Sequence, residues 1–156
     1  GEEETSNWLK AMAANGAKIY PKNSPQIIAA ASGEIDLGLV NHYYLHRKLA
    51  TEGESYTARN HHLGSGGPGS LIMVSGVGIL KTSDNPVAEQ FVEYLLSKEV
   101  QQRFATETYE YPVVPGVETN ELVTPIEMIN NPSIGVADLA DLEGTLQLLR
   151  DTGVLP

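Results

Sequence analysis

Residues 23–44, NSPQIIAAASGEIDLGLVNHYY, decide how the chain is read. The first part has the grammar of a helix. Ser24 can cap it, Pro25 suits its first position, and Gly33 supplies the residue on which helices end. IDLGLVN then reads as a buried strand. Upstream, TSNWLKAMAANGAK predicts an amphipathic helix that stops near Asn15-Gly16, with acidic residues at its positive end. AKIYP after it is a short strand candidate. A helix followed by a strand, twice in the first forty residues, points to an α/β fold: a sheet flanked by helices.

Beyond the quoted stretch, residues 42–50 extend as a helix capped by Asn41. GESYTARNHHLGSGGPGS is polar and glycine-rich and reads as an edge strand followed by a loop. SLIMVSGVGILK is apolar and β-rich, with Gly76 and Gly78 where backbone passes close or bends. DNPVAEQFVEYLLSKEVQQRFATE predicts two helices, the first opened by Asn85 and Pro86, the second capped by Ser97. YEYPVVPGVE is extended, because Pro112 and Pro115 forbid a helix. The final stretch places Leu139, Leu142, Leu146 and Leu149 on one helical face.

Composition narrows the function. The chain has 156 residues, 41% hydrophobic and 19% charged, enough to fold around one good core or parts of two. Twenty acidic against ten basic residues give a formal charge of −10. Binding a polyanion requires clustered Lys and Arg, so nucleic acid is not an expected partner. With no cysteine, thiolate zinc sites, iron–sulfur clusters and thiol nucleophiles are excluded. No run approaches the roughly 18 apolar residues of a membrane helix. GEEETSNW reads as an acidic helix start and not as a secretory leader, so an exported form is expected to have had its leader removed.

Tyr43-Tyr44, following an apolar strand, is the unusual feature. Phenolate is a hard oxygen donor suited to a small, highly charged cation, and with an ordinary pKa of about 10 it is deprotonated at neutral pH only by a strong Lewis acid. Adjacent residues on a strand face opposite sides, so two neighbouring ligands need a bend, which a strand-to-helix junction supplies. From the pair alone, one tyrosine packed and one at the surface is the commoner arrangement. Asn23 and Asn41 offer amide NH2 groups beside free helix N-terminal N–H groups, a donor set for an anion; each also serves as an ordinary cap or turn residue. His42 and His46 have the spacing of two zinc ligands on one helix face, without the glutamate of H-E-x-x-H or an obvious third ligand. His61-His62 lie in a polar stretch. GSGGPGS lacks G-K-[ST] and precedes a strand, so it reads as a flexible connection and not as a phosphate loop. There is no G-x-S-x-G and no convincing Ser/His/Asp set, and a hydrolase built on the histidines would lack a general base. An enzyme is not expected. The tyrosines of YEYPVV read as packing.

Taken together, WLKAMAANGAKIYPKNSPQIIAAASGEIDLGLVNHYY, GPGSLIMVSGVGILK, AEQFVEYLLSKEVQQRFA with YEYPVV, and LADLEGTLQLLRDTGVL resemble the ferric-ion-binding periplasmic proteins, the solute receptors of bacterial iron(III) ABC importers. N-H-Y-Y is the most specific element. The resemblance implies a type II periplasmic-binding-protein-like fold, of which this chain matches the C-terminal half. It implies a tyrosine-bearing lobe made of residues 1–73 and 125–156, with 74–124 returning to the other lobe and a hinge near IMVSGVG. It implies Fe3+ held by Tyr43 and Tyr44, with a synergistic phosphate or carbonate contacted by Asn23 and Asn41. His42 occupies a motif position without being an expected ligand. The implied partner is an ABC transporter membrane permease, and the implied location is periplasmic or extracellular, with a lipoprotein tether in a full-length form. A homodimer or domain swap would cover apolar surface on the return segment. The alternatives are a receptor for a non-metal solute, such as an organic anion or polyamine, and a fragment that binds nothing by itself.

Overall fold

The computed structural model describes residues 1–155, so Pro156, the last residue of the expected tyrosine-bearing lobe, lies outside it. The helices are α1 (Glu2–Ala14), α2 (Asn23–Ser32), α3 (His42–Glu52), α4 (Ala88–Leu95), α5 (Lys98–Arg103) and α6 (Leu142–Asp151), with short 3-10 turns at Pro68–Ser70, Ile126–Met128 and Val136–Leu139. The chain divides into two compact units.

One unit joins Gly1–Pro21 to the stretch from Ser133 onward. In it α1 packs against α6, burying Leu9. Three glutamates in the first turn of α1 face the positive end of its dipole, and the helix stops at Asn15, as expected. Trp8 is 51% exposed on α1. Asp141 caps α6 by accepting from the Gly144 N–H at 2.9 Å, and Thr152 is buried with its hydroxyl donating to the Leu148 carbonyl. The expected four-leucine face is interrupted. Leu139 sits in a separate 3-10 turn, because the Asp141 cap starts a new helix behind it, and both Leu139 and Leu142 are exposed.

The other unit, Lys22–Pro132, carries all four candidate site residues. Here α2 packs on α3 through buried Ile27, Ala29 and Leu45. The Tyr56 hydroxyl donates to the Ile27 carbonyl and the Thr57 hydroxyl to the Ala31 carbonyl, fastening the segment after α3 back onto α2. Gly33 ends α2 at φ 77°, the left-handed conformation its sequence position called for. At the other end Ser24 is not the cap: the helix begins at Asn23, with Lys22 preceding it. Ser97 caps α5 as expected, accepting from the Val100 N–H. Buried Gln101 donates to the Leu95 carbonyl and accepts from the Val113 N–H, tying α4, α5 and the segment behind them together. The GSGGPGS connection is pinned, with Asn130 Nδ2 donating to the Gly64 carbonyl.

The expected strands are not formed as a sheet: among the described residues none belongs to a hydrogen-bonded ladder. The expected strand segments, residues 17–21, 35–41 and 70–81, have the side chains for strands, but among the described residues none of them joins a ladder. Their recorded backbone N–H bonds go elsewhere, that of Asn41 to Asn23 Oδ1 and that of Ile72 to Asn131 Oδ1. Strand composition is a preference for a pleated, half-buried surface and is realised only when a partner is present. Ile19, Leu37, Leu39, Met73, Val74, Val77, Ile79 and Leu80 are accordingly exposed, Leu80 to 75%.

Candidate metal centre

The N-terminus of α3 is built by two asparagines. Asn23 opens α2, and its Oδ1 accepts the backbone N–H of Asn41 at 2.9 Å, across 18 residues. This use of the Asn23 oxygen joins the starts of α2 and α3 and leaves its Nδ2 as a donor. Asn41 precedes α3 at φ −71° and ψ 134°, a cap conformation, yet its side chain makes no cap bond. Instead Nδ2 donates to the Tyr43 hydroxyl oxygen at 3.3 Å. The Asn41 amide is therefore turned to Tyr43, and Asn23 is tied to the backbone two residues before that tyrosine.

Tyr43 and Tyr44 occupy the first turn of α3, with ring centroids 4.6 Å apart and planes inclined by 31°. Both lie inside α3 as its second and third residues, so the bend expected between them is absent and the helix itself brings the two rings together. Burial raises the Tyr43 phenol above its ordinary value, and the hydrogen-bonded Tyr44 hydroxyl adds to this, whereas the Asn41 amide pulls the other way by favouring phenolate. The Glu110 carboxylate also acts on Tyr43 in the raising direction. A neutral phenol beside a donor amide is a ligand whose proton a strongly Lewis-acidic cation can displace. Beyond Tyr44, a groove of about 380 Å³ between α2 and α3 is lined by Ser24, Ile27, Ile28, Arg47, Lys48 and Thr51.

Three of the histidines, His42, His46 and His62, lie near one another. The His42 ring centroid lies 6.2 Å from that of His46 and 6.5 Å from that of His62. Among the described residues no three His, Asp or Glu side chains converge to hold a metal ion. Burial lowers the pKa of His42, with His62 adding to the effect and the bond to the Tyr109 carbonyl opposing it; burial also lowers that of His46. His42 Nε2 lies 2.8 Å from the Tyr109 carbonyl, 67 residues away, and Asn60 Nδ2 donates to the His42 carbonyl at 3.0 Å. Sequence reasoning missed Asn60, Tyr109 and Tyr111 as neighbours of the site. The only signal for them was the density of tyrosines in YEYPVV, which packing explained equally well.

Known proteins place the chain. Residues 1–133 match the model of a family described as bacterial extracellular solute-binding protein. The major ferric iron-binding protein of Neisseria meningitidis serogroup A is 34% identical over 156 residues, covering 99% of this chain and 47% of that protein. Iron uptake protein A1 of a Synechocystis species is 40% identical over 130 residues, covering 79% of this chain and 36% of that protein. Among solved structures, iron-bound HitA from Pseudomonas aeruginosa superposes with a TM-score of 0.89 at 35% identity, over 97% of this chain and 49% of that one. The chain thus spans half or less of the length of these relatives, and its fold is that of the corresponding part of a periplasmic ferric-binding protein. These relatives are binding proteins and not enzymes. With a family match over 133 of its residues, the chain belongs to the bacterial extracellular solute-binding proteins.

Proposed function

We propose that the chain binds ferric iron for uptake, with Tyr43 and Tyr44 as phenolate ligands and with Asn23 and Asn41 holding a synergistic anion, phosphate or carbonate. The observation that carries this reading is the junction itself. Two phenols stand with ring centroids 4.6 Å apart, the Asn41 side-chain amide donates to the Tyr43 oxygen, and the Asn23 side-chain oxygen accepts the backbone N–H of Asn41. Fe3+ is a hard cation that prefers such oxygen donors. The anion occupies coordination positions that the protein leaves open and offsets part of the cation's charge. Each phenol that becomes a ligand gives up its proton, so acid opposes loading.

In this reading residues 1–73 and 125–156 form the tyrosine-bearing lobe and 74–124 return to the other lobe of a two-lobed receptor, a division that differs from the compact units of the chain, in which 74–124 cluster with the tyrosines. The receptor works outside the cytoplasm, in the periplasm or at the cell surface with or without a lipid tether, and delivers iron to the membrane permease of an ABC importer. The names of the relatives support iron as the cargo. Pairing of the exposed 73–80 strip with a second copy of the chain is the assembly this reading predicts, and a sedimentation mass of one chain refutes it.

The test is a visible-absorption titration with ferric iron, with and without phosphate, on the wild-type chain and on Tyr43→Phe and Tyr44→Phe. A phenolate-to-iron charge-transfer band that both substitutions abolish is the expected result. A band that survives in either variant refutes the paired-ligand assignment. Its absence in a folded wild-type chain refutes iron binding by this chain alone.

A further inference from the structure

The segment that follows α5 has an unusual backbone. From Phe104 to Thr108 the helix widens into a π turn, a feature frequent at functional sites. Tyr109 then stands in the left-handed conformation, φ 60° and ψ 28°, which a bulky residue adopts only where its surroundings enforce it. Among the described residues only Asn130 shares a positive φ without being glycine.

Three contacts made by this segment all reach α3. The Tyr109 carbonyl meets His42 Nε2 at 2.8 Å; a carbonyl only accepts, so Nε2 carries the proton and donates. The Tyr109 ring stacks on His46, with centroids 5.4 Å apart and planes inclined by 24°. The Tyr111 ring packs 5.1 Å from His42, while its hydroxyl is anchored on the Thr124 carbonyl. His42 and His46 are one helical turn apart, so these contacts grip one face of α3 at two heights. The His42 and Tyr43 rings in turn meet nearly perpendicular, with centroids 5.6 Å apart and planes at 81°. Rotation of α3 about its own axis, which would swing both phenols, is thereby opposed.

We propose that Tyr109 and His42 are positioning residues for the paired tyrosines: the left-handed turn at Tyr109 presents a carbonyl and a ring that fix the rotation of α3, and with it the direction of the Tyr43 and Tyr44 oxygens. The proposal rests on the reading of those tyrosines as iron ligands only for its effect on iron. Groups that orient ligands without touching the metal are commonly worth about 10- to 100-fold in metal affinity, and a loss in that range is expected here.

The experiment compares wild type, His42→Leu, Tyr109→Ala and Tyr109→Phe as the full 156-residue chain. Near-ultraviolet circular dichroism of the iron-free proteins, taken for each as the difference from the same protein carrying Tyr43→Phe and Tyr44→Phe, reads the Tyr43–Tyr44 ring geometry without any metal and cancels the other aromatic side chains. With ferric iron and phosphate, the wavelength of the charge-transfer band and the rate of iron loss to excess citrate read the oriented site. His42→Leu and Tyr109→Ala are expected to change the tyrosine dichroism, shift the band and speed iron loss about 10-fold or more. Tyr109→Phe, which keeps the ring and the carbonyl, restores wild-type behaviour. Variants whose far-ultraviolet spectrum departs from wild type are replaced by His42→Gln, which keeps an N–H donor and is expected to lie between wild type and His42→Leu. Unchanged dichroism, band and release rate in His42→Leu overturn the proposal. A wild-type chain without a band overturns the iron-ligand reading instead, and the dichroism series then decides the positioning role by itself.

Discussion

Asn23 has two jobs that a pair of substitutions separates. Its Oδ1 holds the Asn41 N–H at 2.9 Å, and its Nδ2 is the group assigned to the anion. Asn23→Asp keeps an oxygen for the first job and replaces the donor with a negative charge for the second. Asn23→Ala removes both. A backbone-to-side-chain hydrogen bond of this kind contributes about 1 kcal/mol net, so Asn23→Ala is expected to lose about that much stability and Asn23→Asp much less. Against a bound anion about 4 Å away, a new carboxylate costs about 1 kcal/mol if fully solvated and about 4 kcal/mol at the effective dielectric near a protein surface. Asn23 is half-buried, which places the expected weakening of phosphate-supported iron binding at roughly 10- to 100-fold for Asn23→Asp. The assay is the charge-transfer titration at a series of phosphate concentrations, beside urea unfolding of the iron-free proteins. The reasoning is refuted if Asn23→Asp retains wild-type phosphate dependence, or if Asn23→Ala unfolds at the wild-type urea midpoint.

Leu45 is 3% exposed between α2 and α3, and Leu45→Ala is expected to cost about 2–5 kcal/mol in urea unfolding. A Cβ on Gly33 meets no atom within 4 Å, but φ is 77°, so Gly33→Ala costs only the left-handed penalty of about 1–2 kcal/mol, read as a lowered melting temperature. The folded-state pKa values of His42 and His46 are lowered. The unfolded chain therefore binds more protons once pH falls below about 6.5, and stability drops from there through the folded pKa values, then levels. Each histidine contributes a slope of at most about 1.4 kcal/mol per pH unit, and a urea midpoint that stays flat from about pH 7.5 to about pH 5 contradicts the burial of both rings.

What could be read from the sequence was what local chemistry determines. The stop of α1 at Asn15, the Gly33 terminus of α2, the Ser97 cap and the start of α3 directly after Asn41 depend on residues within a turn of one another. The sheet was not legible from strand composition, because pairing is supplied by a second segment and residues 35–41 and 70–81 meet none among the described residues. Ser24 is of a residue type that caps helices, yet α2 begins one residue earlier at Asn23, whose side chain is bonded to Asn41, 18 residues on. At the site, N-H-Y-Y identified the tyrosines through family resemblance and not through periodicity. The grip of Tyr109 on His42 spans 67 residues and depends on a π turn that no residue pattern announced.

The placement of the aromatic side chains gives each unit its own optical signature. Trp8, the single tryptophan, is on α1 in the unit formed by the two ends of the chain, whereas Tyr43, Tyr44, Tyr56, Tyr94, Tyr109 and Tyr111 all belong to the unit 22–132. Indole emission on heating therefore reports one unit, and tyrosine absorbance reports chiefly the other. Coincident curves mark a single cooperative transition and separated ones mark independent melting. The native chain can distinguish the two without any added fluorophore.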